Sequence, residues 1–429
     1  MSGYRQVTAA ETPAPSWRRW YLLLLFCAGV LNLFDRQIIN ILAQDIRADL
    51  HLNDTQLGLL TGTAFALFYA AFGIPLGSLS DRLDRTRILA AALAAWSLFT
   101  MACGLATSFV QLFVARIGVG VGEAGSQPAS TALIPDLFPA DRRNSAMSLM
   151  LVGASLGSFL GFLVGGQLAS VWGWRTAFAI AGLPGLLVAL AIVTTMRDPR
   201  TILRSRRTSG TFASLGVIVR KQSFRQSAVL HICGAFLTYA SGAWLPAFLI
   251  RVHHLSVAEA GVISAIAIGL GGAIGTLGGG VICDRVARHV PNGETRIIQA
   301  SFLLAVPALA VVVFSHDETV AVGACFLFSI AAYAWLAPTI TLVQKSVDAE
   351  HRALSTGTSG AIANILSLGI GVPAIGALSD ILARTGGPAS LGYALFFGIL
   401  LVVLVGTSTL HATAARTSRE RNLPALQGE

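Results

Sequence analysis

Four charged side chains fall where the sequence is otherwise apolar: Asp35, Arg36, Arg116 and Glu123. Tyr21 to Leu33 is apolar except for Asn32, Phe34-Asp35-Arg36-Gln37 interrupts, and the apolar run resumes from Ile38 to Ala43. Asp35 and Arg36 therefore lie inside one membrane-length helix. On insertion scales each such charge costs roughly 2.5–3.5 kcal/mol at a helix centre, so these residues face a protein interior or a water-filled cavity. Arg116 and Glu123 are seven residues apart, two helical turns, which places them within about 20° of one helix face. Together the four make a formally neutral set of two acids and two bases. Burial favours the neutral acid and a neighbouring arginine favours the carboxylate, so access to water and exchange of partners decide protonation. The set has the chemistry of proton coupling, with Asp35 and Glu123 as proton carriers and Arg36 and Arg116 as charge partners. The competing reading is a static buried ion network that only fixes the helices.

The chain that must position these groups has 429 residues, 54% hydrophobic and 12% charged, with 44 glycines and a mean hydropathy of +0.69. Soluble domains carry about 25% charged residues, so this is the composition of a polytopic membrane protein. Cys27, Cys103, Cys233, Cys283 and Cys325 lie in or beside apolar segments without metal-ligand spacing, and are read as small core residues. Arg18 and Arg19 before the first apolar run resemble a signal-peptide start. That run continues past Asp35 to Ala43, too long for such a segment, and is kept as a first span.

Hydropathy places further spans near 55–79, 86–106, 108–136, 144–170 and 174–196, and six more near 224–251, 256–281, 296–315, 319–346, 352–380 and 389–411. The expected fold is all-α and integral to the membrane, twelve transmembrane helices in two six-helix halves. The expected domains are a tail 1–16, an N-terminal half 17–196, a central loop 197–223, a C-terminal half 224–411 and a tail 412–429. With the N-terminus inside, 24 of the 30 Lys and Arg fall on cytoplasmic loops and tails. Only Arg47, Arg175, Arg251 and Arg384 fall outside, so both termini are expected in the cytoplasm of a cell inner-membrane protein. The net charge of +9 is thus a topology signal, and no nucleic-acid partner is expected.

Two motifs repeat six spans apart. Gly77-Ser78-Leu79-Ser80-Asp81-Arg82-Leu83-Asp84-Arg85 after the second span is echoed by Gly280-Val281-Ile282-Cys283-Asp284-Arg285-Val286-Ala287-Arg288 after the eighth. Ala140-Asp141-Arg142-Arg143 is echoed by Ala349-Glu350-His351-Arg352. Parallel six-helix repeats describe an alternating-access transporter with a midplane site between its halves. Asp81 stands at a helix end where a carboxylate can meet helix N-terminal amides of the opposite half, with arginines close behind to bind carbonyls or acids. Gly77, Asp81, Arg82, Arg85, Asp284, Arg285 and Arg288 are therefore expected at an inner gate. Positive-inside anchoring is the alternative for the arginines.

The first motif resembles the loop between spans two and three of the major facilitator superfamily. Asn32 to Gln37, Asp54 to Leu60, Gly73 to Gly77, Arg116 to Ala124 and Trp172 to Phe178 are similar to its spinster-like branch, densely through the first half and architecturally in the second. The resemblance implies a secondary transporter, and animal members of the branch carry sphingosine-1-phosphate or lysophospholipids. Gly153, Gly157, Gly161 and Gly165, at four-residue spacing, make a small-residue helix seam. Together with the following Gly166 they also resemble the antiporter signature of the superfamily, Phe162 standing in place of its proline.

The second half offers no intramembrane acid. His231 and Lys345 are its nearest titratable candidates, and a lone histidine on an apolar helix is more often a packing residue than a proton carrier. Asn32, Tyr69, Tyr239, Trp244, Tyr333, Trp335 and Asn364 supply aromatic and amide surface for a substrate cavity, or ordinary interior packing. The function expected is proton-sensitive transport of an amphipathic, lipid-like molecule such as a lysophospholipid or sphingoid phosphate, by a monomer with protons and membrane lipids as its other partners. A proton-coupled drug exporter, an organic-anion porter and a passive scramblase are the alternatives. No acyl-transfer motif, metal-ligand set or Walker motif supports an enzyme or an ATP-driven pump, and no cofactor is expected.

Overall fold

The computed structural model describes residues 15–80, 83–139, 141–198 and 211–422, and the regular structure among them is helical. Asp81 and Arg82, two of the expected gate residues, lie outside the described residues. So do residues 1–14 and 423–429 of the two expected tails and 199–210 of the central loop.

Helix α1 is Pro15–Leu50. Helix α2, 54–80, passes through a π-helical stretch at Leu59–Thr63, and α3 is Arg85–Cys103. Helix α4, 109–137, is interrupted at Gly125. One continuous helical run, Arg143–Thr195, divides at Gly173, whose φ of 75° and ψ of 164° are open to glycine and strained for other residues; its two parts are α5 (143–172) and α6 (174–195). The second half repeats the plan: α7 Gln222–Val252, α8 257–289, α9 Gly293–Phe314, α10 318–345 with a turn at Ala334 and Trp335, α11 352–386, and α12 Ser390–Asn422. Ten helices among the described residues are long and apolar enough to cross a membrane. The division at Gly173 makes two of one of them, and the interrupted α4 supplies the twelfth span.

Local signals set these boundaries. Asn53 opens α2 with a capping box, its side chain taking the Gln56 amide at 2.8 Å while the Gln56 side chain takes the Asn53 amide at 3.0 Å. Ser256 and Glu259 repeat the box at α8, six spans on. Ser108 caps α4 and Asp317 caps α10, the same relation again. The expected central loop contains a further helix, Thr211–Arg220, whose Ile218 packs against Phe224, Ala228, Val343 and Val347. Helix α12 also continues through Asn422, eleven residues past the expected span end at 411.

The glycine seam joins α5 to α1. A Cβ at Gly157 would stand 2.1 Å from the Val30 carbonyl oxygen, and one at Gly161 2.8 Å from that of Phe34. The halves meet at the end of the bundle away from the termini. There a Cβ at Gly166 of α5 would lie 2.7 Å from the Val257 carbonyl oxygen of α8, and one at Gly58 of α2 2.5 Å from the Cα of Pro373 in α11. At the terminus-bearing end no ion pair among the described residues joins one half to the other; Lys221 of the central segment pairs with Asp348 at 2.7 Å, and Arg85 with Asp136 and Asp198. The cavity between the halves is thus closed at the far end by helix-to-helix contact.

Candidate functional site

A cavity of about 280 Å³ lies between the halves. Arg36, Gln37 and Asn40 of α1 reach it with Phe65 of α2 and Arg116 of α4; Tyr239, Tyr333 and Trp335 line it from the other half, with His231 and Asn364. Its charged lining among the described residues is two arginines, with no carboxylate. The acids stand behind that wall. Glu123 is fully buried, and its Oε2 accepts from Arg36 Nε at 2.8 Å and from Asn32 Nδ2 at 2.7 Å. Arg36 remains 18% exposed while its guanidinium carbon sits 4.4 Å from the Phe65 ring centroid and 4.8 Å from that of Tyr69. Aromatic faces hold the cation without neutralising it.

Asp35 is buried, and its Oδ1 has no hydrogen-bond partner. The two adjacent charges do not pair with each other. Arg116 is buried with its Nε unpartnered and its guanidinium carbon 5.8 Å from the Phe65 centroid. The second free carboxylate oxygen, Glu123 Oε1, is unpartnered as well. Asp35 Oδ1, Arg116 Nε and Glu123 Oε1 are thus buried polar atoms without a hydrogen-bond partner in the protein itself.

The remaining expected cavity residues divide. Tyr239, Tyr333, Trp335 and Asn364 line the cavity, and the Tyr239 hydroxyl donates to Asn364 Oδ1 at 2.8 Å. Tyr69 stands behind it, stacked on Phe65 and donating to Gln127 Oε1 at 3.1 Å. Asn32 lines a separate pocket of about 110 Å³ with Ser126, Gln127 and Ser130. Trp244 is buried away from both, its Nε1 donating to the Val372 carbonyl at 3.0 Å. That bond is structural and explains why an aromatic expected in the cavity is absent from its wall. His231 does line the cavity, with Nδ1 2.7 Å from Ser359 Oγ. Lys345 does not; it pairs with Glu294 at the terminus-bearing end.

At that same end Arg85 is buried and bound within its own half. It meets Asp136 of α4 at 2.5 Å and Asp198 at 2.8 Å, and also donates to the Ala132 carbonyl. Asp284, Arg285 and Arg288 are exposed. Gly77 has only Pro128 of its own half within reach of a Cβ, at 3.7 Å. Sequence reasoning missed Asp136, Asp198 and Phe65. Asp198 follows an arginine in a basic run and Phe65 stands among apolar residues, so neither position carried a signal.

Two six-helix halves around a cavity lined by two arginines, one of them braced by aromatic rings, have the architecture of a membrane carrier. Residues 25–371 match the model of the Major Facilitator Superfamily, and the chain belongs to that family. It is 32% identical over 420 residues to an MFS-type efflux pump of Mycolicibacterium smegmatis, covering 95% of each chain. It is 25% identical over 429 residues to protein spinster homolog 1 of Xenopus tropicalis, covering 93% of this chain and 81% of the relative. Among solved structures, a bacterial homolog of the human lysosomal transporter Spinster, inward-facing and unoccupied, superposes with a TM-score of 0.79 at 28% identity, covering 94% of this chain and 96% of that one. The chain is a spinster-like secondary transporter working by alternating access.

Proposed function

We propose that this transporter moves an amphipathic anion, a lysophospholipid or sphingoid phosphate, under the control of protons. The observation that carries the reading is the cavity wall: Arg36 and Arg116 face it, and both acids of the set stand behind them. The anionic head of the substrate meets Arg36, already held in place by Phe65 and Tyr69. Its apolar part lies along Ala235, Ala243, Leu336 and Trp335 of the other half. Glu123 competes with the substrate for the same guanidinium. A proton on Glu123 weakens its hold on Arg36 and frees the cation for the substrate, so proton and anion bind with mutual support. The terminus-bearing end is the cytoplasmic one, in a cell inner membrane, and the cavity then opens inward. The two halves are 17–196 and 224–411, and the chain acts as a monomer.

The small size of the cavity also favours the second reading, a compact organic anion. Reconstituted protein separates the two. Uptake into liposomes of a lysophospholipid series differing in acyl length is expected to show affinity rising with length, since a buried methylene contributes about 0.8 kcal/mol. Affinity independent of length, with transport of short organic acids, would establish the organic-anion porter instead. Lipid movement in both directions that ignores the pH gradient would mark a scramblase.

A further inference from the structure

The gate motif has a third copy that the repeat of six spans does not account for. Gly376-Ala377-Leu378-Ser379-Asp380-Ile381-Leu382-Ala383-Arg384 matches Gly77 to Arg85 in its Gly, Leu, Ser, Asp, Leu and Arg, more fully than the segment Gly280 to Arg288 does. It lies at the C-terminal end of α11, at the far end of the bundle, whereas Gly77 lies at the C-terminal end of α2 and at the terminus-bearing end. Anchoring of basic loops does not explain it, because the far end is the one poor in Lys and Arg.

In the structure this copy is engaged with the other half. Asp380 Oδ1 accepts the Asp54 amide at 3.0 Å, and its Oδ2 accepts the Thr55 amide at 2.8 Å and the Thr55 hydroxyl at 2.6 Å. A helix leaves its first amides unpaired and carries partial positive charge there, so a carboxylate is the group that fits. Here that carboxylate comes from the opposite half of the molecule. Ser379 donates to Asp54 Oδ2 at 2.6 Å, and Arg251 of α7 grips the same carboxylate through two bonds of 2.7 Å. Arg47 Nε lies 3.3 Å from Asp54 without the alignment of a hydrogen bond. Gly376 permits the approach: a Cβ there would stand 2.2 Å from the Asp54 carbonyl oxygen.

We propose that Gly376 and Asp380 form the latch that holds the far end of the transporter shut, acting on the N-terminus of α2. The sequence reading gives Asp81, at the other end of α2, the corresponding task on helix amides of the opposite half. Helix α2 would then be held at its N-terminus by one copy of the motif and would carry another copy at its C-terminus. Opening the far end requires Asp380 to leave the Asp54 and Thr55 amides, and Asp380 is thereby a positioning residue for transport. This rests on alternating access of the two halves, and on neither the cargo nor the proton.

The test uses the purified full-length chain in lipid nanodiscs without substrate or pH gradient, carrying spin labels in pairs. Leu105→Cys with His316→Cys reports the far end, both positions being exposed, and Arg142→Cys with Glu350→Cys reports the terminus-bearing end. In Asp380→Asn and in Gly376→Ala, the far-end distances are expected to gain a longer component. The other pair should gain a shorter one, with the population of that state raised about tenfold if one charge-assisted contact of about 1.4 kcal/mol is lost. Arg384→Gln is expected to leave both distributions at wild type, because Arg384 is exposed. Unchanged distances in folded Asp380→Asn protein would overturn the latch, whether or not its melting temperature falls, since a helix cap alone changes stability without moving the halves. An equal shift in Arg384→Gln would overturn it too, by assigning the effect to charge at that end. If Asp380→Asn does not fold, Thr55→Val removes one of the three bonds and should move both distributions in the same directions; no movement there also overturns it. Neither outcome bears on the lysolipid assay, and that assay leaves the latch untouched.

Discussion

Among the described residues Arg36 has one anionic partner, Glu123, and one face open to the cavity, so a change at Glu123 is felt directly where the proposed anion would bind. Glu123→Gln keeps the shape and the possibility of accepting from Asn32, but loses the charge. It is expected to fold, to bind the anionic substrate, and to lose the pH dependence of transport or of the conformational equilibrium. Asp35→Asn is expected to do the same if Asp35 is the second proton carrier. A purely architectural acid gives another result: removal leaves an arginine buried and unpaired, at a cost of about 3–5 kcal/mol, seen as poor folding or yield. Melting temperature and proton-driven uptake on the same purified variants distinguish these outcomes. Folded variants with wild-type pH dependence would exclude both acids, and His231, which lines the cavity, would be next.

The four charges were legible because membrane-buried charge is expensive, and that argument needs only one helix at a time. Their pairing was not. Which arginine meets Glu123 depends on how α1 lies across α4, and a helix-by-helix reading leaves both open. The same limit explains Trp244: an aromatic in α7 can face the cavity or the neighbouring helix, and here the Val372 carbonyl takes its indole N–H.

At the scale of elements, periodic glycine was a reliable signal and helix interruption was not. The α5 seam follows from spacing alone, and the structure lays it on α1 with backbone as the neighbour. Backbone cannot swing aside as a side-chain tip can. Gly157→Ala, whose Cβ would stand 2.1 Å from the Val30 oxygen, is therefore expected to push α1 and α5 apart and to cost about 1–3 kcal/mol. A melting temperature within error of wild type would show that the seam is loose. The interruptions at Gly125 and at Ala334–Trp335 are a different matter. Each precedes a proline, Pro128 and Pro338, which has no N–H for the carbonyl four residues back, at Ala124 and Ala334. Pro75, Pro184 and Pro246 lie inside helices that continue, so proline alone does not tell a break from a tolerated kink. The linker helix Thr211–Arg220 was hidden likewise, because the arginines around it read as a loop.

The whole molecule is a balance between two closures, and among the described residues the charged contacts between the halves lie at the far end. The halves are joined by Asp54, Arg251 and Asp380 at one end, while Arg85 at the other is bound inside its own half to Asp136 and Asp198. Conformers a few kcal/mol apart respond strongly to the loss of one charged contact. Asp81, read from its motif as the latch of the terminus-bearing end, predicts that Asp81→Ala shifts the population away from the state open at the far end. Spin-label distances across the terminus-bearing face measure it, and unchanged distances would exclude that role. The predicted shift opposes the one expected for Asp380→Asn. Latches at opposite ends of the bundle are far enough apart for their effects to add within about 0.5 kcal/mol. The double variant is accordingly expected to return toward the wild-type distribution while opening and closing faster, since neither closed state keeps its charged latch. A double variant that instead follows one single variant would mean that the two ends are coupled through a shared element, and α2 is the helix that reaches both.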